Sequence, residues 1–191
     1  MDYFVHDSSY VDDNCEIGEG TKIWHFSHIQ SGSRIGKKCV FGQNVNVGNN
    51  VKIGDFCKIQ NNVSIYEGVE LQDYVFCGPS MVFTNVLDPR CMYPQQGSEF
   101  YVKTLVKVGA SIGANATIVC GITLGKHSFI AAGAVVTKDV PDYALVTGIP
   151  AKISGWFSES GNRLEFDENG YAFCKKSNKK YRINNGRVSE V

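Results

Sequence analysis

The run CGPSMVFTNVLDPRC, residues 77–91, concentrates side chains that can do chemistry. Asn85 carries a carboxamide oxygen able to accept a hydrogen bond from an amine. Asp88 stands before Pro89, where a carboxylate can assist a proton transfer or cap a turn. Arg90 offers a planar fork that pairs bidentately with a carboxylate or a phosphate. Each has a plainer reading: Asn85 as a turn residue at a loop exit, Asp88 as the turn cap, Arg90 as a surface cation. His25 and His28 carry imidazoles that can contact a substrate, and His28 reads equally as a surface histidine or a substrate contact. Lys138 and Lys152 can meet phosphates as point charges or stand as solvated lysines.

The frame that must position these residues is a repeat. Stepping by six from Val5 gives Val11, Ile17, Ile23, Ile29, Ile35, Phe41, Val47, Ile53, Ile59, Ile65, Leu71, Cys77 and Phe83, fourteen positions without a slip. The beat resumes at Val106 and runs through Ile112, Ile118, Leu124, Ile130 and Val136. The step from Phe83 to Val106 is 23, so an insertion breaks the pattern where Asn85, Asp88 and Arg90 lie. A second beat of small or medium residues follows four positions after the first, as in Thr21, Ser27, Cys39, Val45, Cys57 and Val63. A helix at 3.6 residues per turn would scatter a period of six. Short strands with tight Gly and Asn turns accommodate it, one large and one small residue per rung pointing inward. Single rungs are too short to be stable, and stacking builds a continuous core. The pattern is that of a hexapeptide parallel β-helix, three rungs to an 18-residue coil. Residues 18 apart then form columns. Asn44 lies over Asn62, Gln43 over Asn61 with His25 below them, and His28 aligns with Asn46 and Ser64.

Bulk properties bound the function. The 191 residues carry 19 basic and 19 acidic side chains, so formal net charge is zero. That argues against a general nucleic-acid binder, which needs excess cations for phosphate contacts. No apolar run reaches the ~18 residues of a membrane helix, and the acidic start MDYFVHDSSYV is no signal peptide. Seven cysteines without a CxxC pair read as reduced thiols of a cytoplasmic protein. Cys39, Cys57 and Cys77 fall on the inward beats as small buried hydrophobes. After Trp156 the beat is gone. NRLEF, YAFCK, KKYRINN and GRVSEV read as three or four short antiparallel strands with DENG and NNG as hairpin turns.

These rungs, with GAVVTKDVPDYALVTGIPAK at 133–152, resemble the hexapeptide-repeat acyltransferases over roughly residues 1–155. The resemblance implies an all-β, left-handed parallel β-helix over residues 1–140, with an extruded loop at 86–105 and a small antiparallel extension within 141–191. It implies a homotrimer with active sites between neighbouring prisms, and acetyl-CoA as co-substrate. A pantetheine arm lying along the stack needs small side chains beside it. Ala114 and Ala132 supply one such column and Asn115 and Gly133 the next, with Lys138 and Lys152 toward the phosphates.

A narrower set of stretches, WHFSHI, FGQNVNVG, CKIQNNVSIYEGV, CGPSMVFTNVLDPR, GANATIVCGITLG and GWFSE, is similar to bacterial enzymes acetylating UDP-2-acetamido-3-amino-2,3-dideoxy-glucuronate for surface polysaccharide. The resemblance also extends to enzymes that acetylate other 3-amino or 4-amino nucleotide sugars, a dTDP-linked 3-amino-deoxy sugar being the alternative acceptor. In O-acetylating members of the wider family a His precedes the proline, and here Asp88 stands there. A hydroxyl nucleophile needs a base near neutrality, and a free Asp near ~3.9 is a poor one. A sugar amine, its basicity lowered toward the ~8 of an α-amine, is partly neutral already and needs mainly to be held in place. Asp88 therefore favours N-acetylation, with Asn85 orienting the amine and His25, His28 and Arg90 contacting the nucleotide sugar. A zinc hydratase of the γ-carbonic anhydrase kind on the same fold needs three His ligands. The chain has only His6, His25, His28 and His127, without a His-x4-His pair.

Overall fold

A computed structural model describes residues 2–95 and 97–191. Nearly every rung is a two-residue strand followed by a tight corner, and the strands stack into three parallel sheets. The first face runs from Phe4–Val5 through Lys22–Ile23 and Val40–Phe41 up to Phe129–Ile130 and Ala144–Thr147. The second begins at Tyr10–Val11 and ends at Val135–Val136, and the third runs from Glu16–Ile17 to Thr123–Leu124. Partners such as Ile23 and Phe41, or Val47 and Ile65, lie 18 apart. The six-residue period thus becomes three faces and three edges, named below by the faces they join.

Two kinds of residue make this coil possible. The larger beat fills the interior: Ile29, Phe41, Val47, Ile59, Ile65, Ile118 and Leu124 are all buried. The corners turn through left-handed backbone. On the edge between faces one and two, Asn44, Asn62, Ser80, Asn115 and Gly133 share that conformation in successive coils. Asn and Gly tolerate it at low cost, which accounts for their recurrence.

The smaller beat is polar in places, and in the lower coils its hydroxyls are paired. Thr21, Ser27 and Ser33 are buried and donate to the carbonyls of Gly36, Gly42 and Gly48 at 2.9, 3.1 and 2.8 Å. The thiols of Cys39 and Cys57 repeat the pattern toward Gly54 and Gln72, each at 3.1 Å. These cysteines are therefore ladder donors as well as small apolar fillers. Full burial pushes the Cys77 thiol up to about 12.

Two coils depart from 18 residues. Phe83 pairs with Ile118 and Leu71 with Val106, so one coil spends 35 residues where its neighbours spend 18. The extra 17 leave edge two–three after Val82–Phe83 and rejoin at Thr104–Val106. The strand starting at Thr104 trims the expected loop of 86–105 at its end. At the top, Ile130 pairs with Val146 only 16 residues on, so the parallel stack continues past residue 140. Lys152–Trp156 then folds back antiparallel onto Ala144–Thr147. Ser128, which precedes the short coil, has no hydrogen-bond partner for its buried hydroxyl among the described residues.

Tyr171–Cys174, Lys179–Asn184 and Arg187–Glu190 form the antiparallel extension. Leu164, Ala172, Tyr181 and Val188 bury against Tyr143, tying it to the stack's upper end. The expected strand in NRLEF is reduced to a single bridge between Phe157 and Arg163.

Candidate active site

Asn85 stands at the root of the extruded loop and is half-buried, while Asp88 and Arg90 are exposed farther out. Its backbone is well held. Thr84 N–H donates to the Ile118 carbonyl at 3.1 Å, and Thr84 Oγ1 accepts from Cys120 N–H at 3.0 Å. The Asn85 carbonyl accepts from Val102 N–H at 2.8 Å, which joins the two limbs of the loop. No described residue hydrogen-bonds the Asn85 carboxamide, so that group is available to a ligand. Arg90 turns its guanidinium back onto the Pro89 carbonyl at 2.8 Å. Asp88 is exposed in the single chain, so general-base work by it would call for burial that one chain does not supply.

His28 lies on the second face. Its Nε2 is 2.8 Å from Asp12 Oδ1, and the two side chains are 44% and 41% exposed. Tyr10 edges onto the imidazole at 6.5 Å. Asp12 is a partner the sequence reading missed; the only signal was its offset of 16, two short of a full coil. His25 lies on edge one–two, stacked on His6 at 3.5 Å and parallel to Trp24. Its Nδ1 is buried with no hydrogen-bond partner among the described residues.

The small columns also lie on edge one–two. Ala114 is half-buried and Asn115, Ala132 and Gly133 are exposed, forming a strip without bulky side chains. The glycines inside this edge serve the coil itself: a Cβ on Gly78 would lie 2.7 Å from Ala114 N. At Gly133 a Cβ would meet nothing within 4 Å, so only its left-handed φ of 70° asks for glycine. Lys152 follows Ala151, whose N–H donates to the Val135 carbonyl at the top of this edge. Lys138 is exposed on edge two–three, the loop's edge. The two lysines therefore do not converge within one chain.

The same separation holds for the whole candidate site. Asn85, Asp88, Arg90 and Lys138 lie on one edge of the second face, and His25, Ala114, Asn115, Ala132, Gly133 and Lys152 on the other. His28 is on the face between. The main cavities of a single chain, of 380 and 620 Å³, are lined by third-face residues such as Lys107, Thr123 and Asp142, or Arg34, Lys52 and Glu70. Neither includes any of these candidates.

Comparison with known proteins follows the repeat and then the whole chain. The family described as bacterial transferase hexapeptide (six repeats) matches residues 14–49, and the hexapeptide repeat of succinyl-transferase matches 33–67 and 109–138. The dTDP-3-amino-3,6-dideoxy-alpha-D-galactopyranose 3-N-acetyltransferase of Aneurinibacillus thermoaerophilus is 40% identical over 189 residues, 98% of this chain and 95% of its own. The chain belongs to the hexapeptide-repeat acyltransferases. The bifunctional protein GlmU of Shouchella clausii (strain KSM-K16) is 29% identical over 74% of this acyltransferase and 28% of its own length. A hexapeptide-repeat acetyltransferase of Vibrio cholerae O1 biovar eltor, solved with acetyl-CoA, superposes with a TM-score of 0.54 at 29% identity, covering 62% of this acyltransferase and 68% of that chain.

Proposed function

We propose that this acyltransferase moves the acetyl group of acetyl-CoA to the 3-amino group of a dTDP-linked 3-amino-3,6-dideoxyhexose. The observation that carries this reading is the 40% identity, over nearly the full length of both chains, to an enzyme named for that reaction. The proposal replaces the UDP-linked uronate as preferred acceptor. The identity to an enzyme named for a dTDP-linked 3-amino sugar favours that acceptor over the uronate.

In the proposed reaction the neutral amine attacks the thioester carbonyl carbon. The C–N bond forms, the C–S bond breaks, and the departing CoA sulfur takes up the proton that the new amide releases. The carboxamide of Asn85 accepts from the attacking amine and sets its direction. The transfer needs placement more than a protein base. The small strip of Ala114, Asn115, Ala132 and Gly133 takes the pantetheine arm, and Lys138 and Lys152 the phosphates.

The acting unit in this reading is a homotrimer. Support comes from the split site, whose two halves lie on opposite edges of the second face and so do not meet within one chain. The outward residues of the second face, Tyr10, His28, Asn46, Ser64, Val82, Thr117 and Val135, include no Lys, Arg, Asp or Glu. The third face offers Glu16, Arg34, Lys52 and Glu70 instead. A face without fixed charge is the one that two copies can bury at low desolvation cost.

Thiol release from acetyl-CoA tests the acceptor. Rapid turnover is expected with a dTDP-3-amino-3,6-dideoxyhexose and little with UDP-2-acetamido-3-amino-2,3-dideoxy-glucuronate. The reverse order would restore the uronate, and no turnover with either would overturn both.

A further inference from the structure

The loop root carries a chain of hydrogen bonds that the six-residue repeat does not require. On edge two–three, Asn50, Glu67 and Ser98 line up over successive levels. Asn50 Nδ2 donates to Glu67 Oε1 at 3.2 Å, and Ser98 Oγ donates to the same oxygen at 2.9 Å. Glu67 is half-buried, and an ionised acceptor makes both bonds stronger than neutral pairs would be. Ser98 opens the 3-10 turn Ser98–Phe100 on the returning limb of the loop.

Beyond that turn the limb is laid onto the corner that carries Glu67. A Cβ on Gly68 would come 3.5 Å from Tyr101 Cβ and 3.6 Å from the Val102 carbonyl oxygen. Thr104 N–H donates to the Gly68 carbonyl at 2.9 Å. Here the strand lengthens to three residues, Val69–Leu71, matched one for one by Thr104–Val106. Val102, between these anchors, donates its N–H to the Asn85 carbonyl. Asn85 is thus held from the coil above through Thr84 and Cys120, and from the coil below through Glu67, Ser98 and Val102. A 270 Å³ cavity beside the clamp, lined by Lys52, Glu70, Tyr101 and Lys103 among others, gives the limb room to shift when the clamp is cut.

We propose that Glu67 is a positioning residue for acetyl transfer: by gripping Ser98 it fixes the returning limb against which Asn85 is set. The proposal rests on the role given to Asn85 above. Misplacing a reacting group by about 1 Å can cost about 100-fold, so Glu67→Ala is expected to lower kcat by at least about tenfold with KM for acetyl-CoA nearly unchanged. Ser98→Ala is expected to match it, and the double variant to be no worse than either single, as for two partners of one contact. Glu67→Gln keeps an acceptor oxygen and should retain at least about a third of turnover. Amide exchange at Val102 should quicken in Glu67→Ala and Ser98→Ala while the melting temperature stays put. Unchanged exchange at Val102 overturns the clamp, whatever Asn85→Ala does. Additive losses in the double variant, or full turnover in Glu67→Ala, overturn it too. Quickened exchange beside full turnover in Asn85→Ala would keep the clamp and remove Asn85 as its purpose.

Discussion

At the residue scale, one carboxamide carries the proposed chemistry. Asn85 is held by its backbone on both sides while its side chain stays open. Asn85→Ala is expected to lower kcat about 100-fold with a small change in KM, as when alignment is lost and binding kept. Steady-state thiol release on folded protein checks this, and near-normal turnover would end the role. With no protein base in the step, the acceptor amine itself sets the pH profile. The rate should climb with pH through about 8, where an amine of that basicity is half neutral, and level off about one unit higher. Asp88→Asn should leave the shape of that profile unchanged; a flattened or displaced rise would show that the carboxylate takes part.

At the element scale, coil spacing decides what a position tolerates. A Cβ on Gly54 would lie 2.7 Å from both Gln72 C and Asp73 N, which are backbone atoms and cannot swing away. Gly54→Ala should therefore destabilise by about 1–3 kcal/mol, seen as a melting temperature lower by several degrees. The upper end has a different sensitivity. Burial, with Lys126 beside it, holds the His127 imidazole below its ordinary value of 6.5. The unfolded chain then takes up the proton first as pH falls. Stability is complete above about 6.5 and is lost as pH drops through the lower folded value. His127→Asn, which suits the left-handed backbone there and does not titrate in this range, should narrow the difference in melting temperature between about pH 7.5 and about pH 5. An unchanged difference would assign the acid sensitivity to other groups.

At the scale of the whole molecule, the proposed homotrimer would make assembly a condition of activity. The loop edge of one chain and the small-residue edge of a neighbour would form each cleft. Asn85→Ala disables the first edge, and Ala132→Trp would block the second. Each variant alone should be nearly inactive. Trimers reassembled from an equal mixture should recover about a quarter of wild-type turnover, because about one interface in four joins two intact edges. No recovery from well-mixed trimers would place the site within a single chain.

Much of this was legible in the sequence, and the reason is the period. A six-residue beat fixes which residue points inward and which column it joins, so the coil, the inward Ile, Val and Phe, and the loop after Phe83 could be read directly. Asn85 is a candidate because it stands where the beat breaks. What the beat cannot carry is contact across the insertion or between corners of different coils. The grip of Glu67 on Ser98 spans 31 residues, and Asp12 meets His28 from one coil below. The placement of Lys138 and Lys152 on opposite edges followed from a last coil of 16 residues and the fold-back of Lys152–Trp156. Inward pattern is local and repeats; edge partnership depends on how many residues each coil spends, and that was settled only when the chain closed on itself in three dimensions.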